Sequence, residues 1–106
     1  MGNNMKYQLI VQQSCLTTKD FDRLVDIECE LEEILGDSAD VDGHDFGSGE
    51  ANIFIFTDHP EETFKAIRTY LDASGILSIM RIAYRDMASD DFNVLWPENL
   101  VEFKVI

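Results

Sequence analysis

Apolar and polar positions alternate near the start of the chain, over Lys6–Gln13. In an extended segment Tyr7, Leu9 and Val11 share one side, while two glutamines and Ile10 share the other. The pattern therefore predicts a strand that has one apolar face and one mixed face.

An uninterrupted apolar run, Ile53–Phe56, lies inside a second predicted strand, Glu50–Thr57. A run without alternation is typical of a central strand that is covered on both faces. The segment Gly47–Gly49 has a glycine on each side of Ser48. We expect a tight hairpin turn there because glycine reaches positive φ without steric cost. The acidic stretch before it, Asp37–Phe46, is interpreted as a loop followed by an edge strand.

Helical spacing of apolar residues predicts a first helix that ends at about Leu35. Thr17 or Thr18 is the expected N-cap, and Asp20 lies three residues after Thr17 in a capping-box position. Gly36 is the expected stop, since glycine commonly follows the last turn of a helix.

A second helix is predicted over about Pro60–Ala73, because proline is favoured in a first turn and two glutamates follow it. Asp58 is the expected N-cap, and Gly75 is expected to end the helix. The residues predicted to face the core are Phe64, Ile67, Tyr70 and Leu71.

The remaining segments predict a strand at Leu77–Tyr84, a polar loop at Asp86–Asp91 and a short fifth strand at Phe92–Trp96. The tail, Leu100–Ile106, is expected to form an edge strand or a docking segment. The order strand, helix, strand, strand, helix, strand favours a single α+β domain of 106 residues. We predict a ferredoxin-like βαββαβ plait, an antiparallel sheet with two helices on one face and a short C-terminal strand. The crossover rule makes the first and third strands central neighbours.

Helices on one face leave the other face of the sheet open. Either the isoleucines or the phenylalanines of the third strand must therefore point away from the helices, and the sequence leaves open which pair does so. An aromatic patch on an open sheet usually marks an interface. The residues predicted for this open face are Ile10, Phe54, Phe56 and His44, and a homodimer through it is a possible consequence.

The chain carries 21 acidic and 8 basic residues, a formal net charge of -13. The excess is local, because twelve of the acids and one base, Arg23, lie between Asp20 and Glu50. Such a field repels nucleic acid and anionic membranes and attracts basic proteins. We therefore predict a basic protein partner, and no binding to nucleic acid or membranes.

The acidic hairpin invites a calcium interpretation, but its spacing does not match. If Gly43 takes the sixth position of a calcium loop, the twelfth position falls on Gly49, and Glu50 comes one residue late. A strand follows in place of a helix. We predict no metal site here, although the sequence does not settle whether this hairpin binds a metal.

No catalytic residue or cofactor site is predicted. His44 and His59 have no evident nucleophile beside them in the sequence. Cys15 and Cys29 have no CxxC spacing, and the amino-terminal segment has no apolar run of signal-peptide type, so we expect reduced thiols and a cytoplasmic location.

The segment Val41–Phe64, VDGHDFGSGEANIFIF followed by TDHPEETF, resembles small bacterial proteins of plait fold that have no assigned activity. The small size and local acidity are also similar in type to immunity proteins that neutralise bacterial toxins. This resemblance implies the plait fold and a protein-binding role.

Two functions remain open. The first is a non-catalytic acidic protein that docks a basic protein partner, as an immunity-type inhibitor of a toxin would. The second is a plait dimer that binds a small ligand, or acts as an enzyme, on the open sheet face. The residues predicted to bind the basic partner are Asp26, Glu30, Glu33, Asp37, Asp40, Asp42 and Asp45.

Overall fold

The structure is a computed structural model that describes residues 5–105. The prediction for Ile106 at the end of the tail lies outside the described residues. The strands are β1 (Tyr7–Ser14), β2 (Asp40–Gly47), β3 (Glu50–Thr57), β4 (Arg81–Asp86) and β5 (Asn93–Trp96). The helices are α1 (Thr18–Leu35) and α2 (Pro60–Ala73), with short 3₁₀ turns at Gly36–Ser38 and Leu77–Ile79.

The strands form one antiparallel sheet in the order β2-β3-β1-β4-β5. β1 lies in the middle and pairs with β3 on one side and β4 on the other. The predicted α+β class, with two helices and an antiparallel sheet, is therefore confirmed, and the strand order is compatible with the predicted plait.

The main core lies between the sheet and the two helices. Leu9, Ile53 and Ile55 of the sheet are fully buried and pack in one cluster with the apolar stripes of both helices. Burying each such side chain contributes about 1.5–3 kcal/mol. The helix residues of this cluster are Leu24, Ile27, Leu31, Leu35, Ile67 and Leu71. The isoleucines of β3 thus face the helices, so the phenylalanines face away.

The start of α1 is the predicted capping box. The hydroxyl of Thr17 accepts a hydrogen bond from the backbone N–H of Asp20 at 3.2 Å. The Asp20 carboxylate in turn accepts from the N–H groups of Thr17 and Leu16, at 3.2 and 2.9 Å. Gly36 follows the last helical residue, as predicted.

The start of α2 differs from the prediction, because Asp58 is not its N-cap. The N-cap is His59, without a side-chain capping bond. The helix begins one residue later than the Asp58 cap requires, and the Asp58 carboxylate instead accepts from the N–H of Lys6 at 3.0 Å. At the start of the helix, the hydroxyl of Thr57 accepts a hydrogen bond from the backbone N–H of His59 at 2.9 Å.

The four residues predicted to face the core from α2 do so. Ile67 and Leu71 are fully buried, and Phe64 and Tyr70 are partly buried and pack against the main core. Thr63 is buried on the same helix.

Two strand starts differ from the prediction. The strand predicted from Leu77 starts only at Arg81, because the N–H of Met80 bonds to the carbonyl of Leu77 and closes a 3₁₀ turn. β5 starts at Asn93, one residue later than predicted.

The tail crosses the face of the sheet that the helices leave uncovered. Phe103 is 7% exposed and packs in a second cluster with Ile10 and Ala83. The Gln12 side-chain amide donates to the backbone carbonyl of Lys104 at 2.8 Å. The described part of the tail is therefore a docking segment and not an edge strand.

Candidate functional site

A row of acidic side chains runs along the exposed side of α1. Asp22, Asp26, Glu30 and Glu33 follow one another at spacings of three or four residues, so they share one side of the helix. No Lys, Arg or His within residues 5–105 lies at ion-pair distance from any of them. We call these four residues the acidic row. Repulsion among these four acids is thus not offset by an ion pair within the described residues.

The acidic row borders α2 at Tyr70. Burial raises the pKa of the Tyr70 phenol, and the charges of Glu30 and Asp26 raise it further. These charges act on Tyr70 because α1 and α2 pack against each other. The row is therefore a feature of the helix layer.

The remaining residues predicted to bind a partner are also exposed, but they lie elsewhere. Asp37 is in the 3₁₀ turn, and the others are on the edge strand β2. Asp45 accepts a hydrogen bond from the side chain of Asn52 at 3.0 Å, and Asp40 pairs in register with Phe56. Both contacts place these aspartates on the sheet face opposite the helices. The seven predicted residues therefore do not form one continuous surface.

The pairing of β2 with β3 overturns the prediction that His44 lies on the open face. Counted from the turn, where Gly47 pairs with Glu50, His44 lies opposite Ile53, which faces the helices.

Farther from the turn, the register shifts between Val41 and Gly43, so Asp42 is an extra residue in a β-bulge. Gly43 has a φ of 140°, a conformation that side chains rarely adopt. The sequence carries a signal of the bulge. Val41 and Phe46 are five positions apart and would lie on opposite faces of a regular strand, so both can face the helices only if a bulge lies between them.

His44 instead joins the edge strand to the first helix. Its Nδ1 atom lies 2.9 Å from Oε1 of Glu28, a residue that sequence reasoning missed. The ring of Phe21 meets His44 edge-on at 5.7 Å and Phe46 at 5.1 Å between centroids. The polar partner of His44 is thus a carboxylate and not a nucleophile.

An apolar pocket of about 430 Å³ lies at the end of β1, beside this aromatic contact. Leu16 and Phe46 on its rim are 79% and 62% exposed. The pocket residues are Cys15, Leu16, Thr17, Thr18, Phe21 and Phe46. Sequence reasoning missed this pocket because its residues come from three elements, a strand end, a helix start and a hairpin.

The open sheet face carries Ile10, Phe54 and Phe56, as predicted. The tail buries Ile10 to 1% exposure and packs against Phe54, which leaves less apolar surface for a second copy. Self-association through this face stays a prediction. A groove of about 390 Å³ remains beside the tail, between Phe54 and Arg85.

Polar side chains fill the other half of that face. Gln12 and Asn52, each 2% exposed, bond to each other at 2.9 Å. Arg81 donates to Gln12 at 2.7 Å and to the carboxylate of Glu50, and Asn52 reaches Asp45. This polar network spans four strands, and its side chains satisfy one another's hydrogen bonds, which is typical of a buried structural network.

Candidate metal ligands do not gather in the part of the chain from residue 5 to residue 105, where no group of three or more His, Cys, Asp or Glu side chains could hold an ion. Cys15 is half-buried, Cys29 is exposed, and both are free thiols. None of the described helices is long and apolar enough to cross a membrane.

The chain was compared with protein-family models, with curated proteins and with solved structures, and none of the three comparisons found a match.

Proposed function

We propose that this protein is a non-catalytic binding protein whose acidic surface docks a basic protein partner, in the manner of an immunity-type inhibitor of a bacterial toxin. The observation that carries the proposal is the acidic row on α1. Its members are exposed and lack basic partners among the described residues. Asp26, Glu30 and Glu33 belong to it and are the principal contact residues in this proposal.

Electrostatics gives such a surface two advantages. A basic partner relieves repulsion among the acids, and complementary charge accelerates diffusional encounter. The same field disfavours anionic partners such as nucleic acids and acidic membranes. The chain has a formal net charge of -13, so these effects act over the whole approach of the partner.

We also propose that the fold is the ferredoxin-like plait with an added C-terminal strand. The strand order and the packing of both helices against one sheet face support this assignment. A plait uses its helix layer and its strands as a rigid support, which suits a surface that must be complementary before the partner arrives.

The test measures binding of the basic proteins encoded by the flanking genes, by isothermal titration. The variant D26K/E30K/E33K reverses three acids on α1. The matched control D72K/D91K/E98K reverses three exposed acids on other elements and changes the net charge equally. We expect the first variant to lose binding and the control to keep most of it. Equal losses in both variants contradict a site on α1.

The second candidate function is binding of a small ligand on the open sheet face. The groove of about 390 Å³ beside Phe54 and Arg85 supports it. The guanidinium of Arg85 donates hydrogen bonds to the Gln8 side chain at 3.0 Å and to the carbonyl of Ser89 at 2.9 Å. Its position is therefore fixed before a ligand binds. Screening of small carboxylates by ligand-observed NMR, with Arg85→Met as the control, separates this function from the first.

A further inference from the structure

The apolar pocket at the end of β1 has no role in the function proposed so far. Its rim side chains, Leu16 and Phe46, are among the most exposed large apolar residues described. Both side chains keep most of their surface in water after folding, so the fold gains little from placing them together. A pocket of about 430 Å³ lies between them.

The pocket is built from segments that are already fixed. The backbone of Leu16 is held by the Asp20 carboxylate at 2.9 Å, as part of the capping box. Phe46 leans on the ring of Phe21 at 5.1 Å. On the hairpin side, a Cβ at Gly49 would lie 3.3 Å from the Leu16 side chain, so the glycine leaves the room that Leu16 occupies. A group that enters this pocket needs little rearrangement of the protein.

The pocket adjoins the acidic row. Phe21 lines the pocket, and Asp22, the first member of the row, is the next residue of α1. The Asp20 carboxylate is held in the capping box and Glu28 by His44, so the unpaired acids described on this side belong to the row. A basic partner that docks on the row can therefore place an apolar side chain in the pocket.

We propose that this pocket holds a large apolar side chain from a lysine- or arginine-rich segment of the protein partner. The inference rests on the proposed function and adds a second contact to it. The acidic row attracts the partner over a distance, and the pocket anchors one residue of it. Buried apolar anchors of this kind commonly carry much of the energy of an interface.

The test uses two synthetic peptides as probes, Lys-Lys-Trp-Lys-Lys and Lys-Lys-Gly-Lys-Lys, each with a fluorescent label. Binding is measured by fluorescence anisotropy with the full chain. We expect the tryptophan peptide to bind at least about tenfold more tightly, since transferring an indole from water is worth more than the free energy of one tenfold step. Equal affinity of the two peptides overturns the inference.

Variants then locate the binding. Leu16→Ser with Phe46→Ser removes the rim, and both side chains are exposed enough for the fold to tolerate the change. Ile79→Ser with Val101→Ser is the control, because it removes two exposed apolar residues elsewhere. We expect the rim variant to bind both peptides alike and the control to discriminate as the parent does. Retained discrimination in the rim variant overturns the inference.

The thiol of Cys15 provides a readout inside the pocket. In a Cys29→Ser background, the tryptophan peptide is expected to slow alkylation of Cys15 by a maleimide, while the glycine peptide leaves the rate unchanged. Equal rates overturn the inference.

If the partner protein binds the rim variant normally but not D26K/E30K/E33K, the pocket inference fails and the proposed function stands. If the partner ignores the α1 reversal, the proposed function fails independently.

Discussion

The Nδ1 atom of His44 lies 2.9 Å from Oε1 of Glu28, and this contact ties the edge strand to the first helix. The side chains are 27% and 13% exposed, so water competes little for the bond. We expect a coupling free energy of about 0.5–1.5 kcal/mol between His44→Ala and Glu28→Ala in a double-mutant cycle of chemical denaturation. Glu32→Ala, an exposed change on the same helix, is the control. A coupling indistinguishable from zero would show that the contact does not stabilise the edge.

Ile53 and Ile55 are fully buried at the centre of the main core. Truncation of either to alanine leaves a cavity that the surrounding side chains fill only in part, so we expect a loss of about 2–5 kcal/mol in the free energy of unfolding. Ile79→Ala removes the same atoms at a position that is 47% exposed, and should cost much less. Losses below about 1 kcal/mol at both core positions would sink the central-strand assignment.

Gly49 and Gly47 form a matched pair in one hairpin. Gly49 has a φ of 79° and a Cβ there would meet Leu16 at 3.3 Å, whereas Gly47 has nothing within 4 Å and no positive φ. Gly49→Ala should therefore destabilise by about 1–2 kcal/mol, the cost of a left-handed conformation for a residue with a Cβ. Gly47→Ala should be nearly neutral. Thermal and urea unfolding of both variants gives the comparison, and equal effects would contradict the turn geometry.

Asp20 links stability to pH. The N–H of Leu16, followed by bonds to Thr17 and the charge of Arg23, lowers the pKa of its carboxyl in the folded protein. A group with a lowered folded-state pKa stabilises the fold above its unfolded pKa of about 4, and this contribution is lost as pH falls through the folded-state value. Asp20→Asn keeps an acceptor oxygen but cannot titrate, so its unfolding free energy should fall less steeply below about pH 4. Parallel slopes for the two proteins would refute this assignment.

Phe103 shields Ile10 from water on the open sheet face. Phe103→Ala should uncover that face and promote self-association, which light scattering over a concentration series will detect as a rising average mass. Val101→Ala, at a position 96% exposed, is the control and should match the parent. An F103A variant that stays at the parent mass would contradict a shielding role for the tail.

Local chemistry and the pairing of the first and third strands were predictable from the sequence, whereas side-chain contacts between distant segments were not. The capping box at Thr17 and the hairpin turn before Glu50 depend on residues a few positions apart, and the structure confirms both. The side of the sheet that His44 occupies follows that of its partner Ile53, and the sequence leaves open which face of β3 meets the helices. Asp58 was assigned to its own helix, but its partner lies 52 residues away at Lys6. The apolar pocket was missed for the same reason, since three elements meet there.

The position of β1 has a consequence for synthesis. This strand is made before the others, yet it lies in the middle of the sheet, and its two neighbours, β3 and β4, are translated much later. One edge of β1 stays unpaired until Asp86 has left the ribosome, and the bond from Gln12 to Lys104 joins residues 92 positions apart. Nascent chains with such distant pairing fold slowly and expose strand edges while they wait. Between translation of Thr57 and Asp86, the free edge of β1 is therefore the strand edge that a chaperone has to protect.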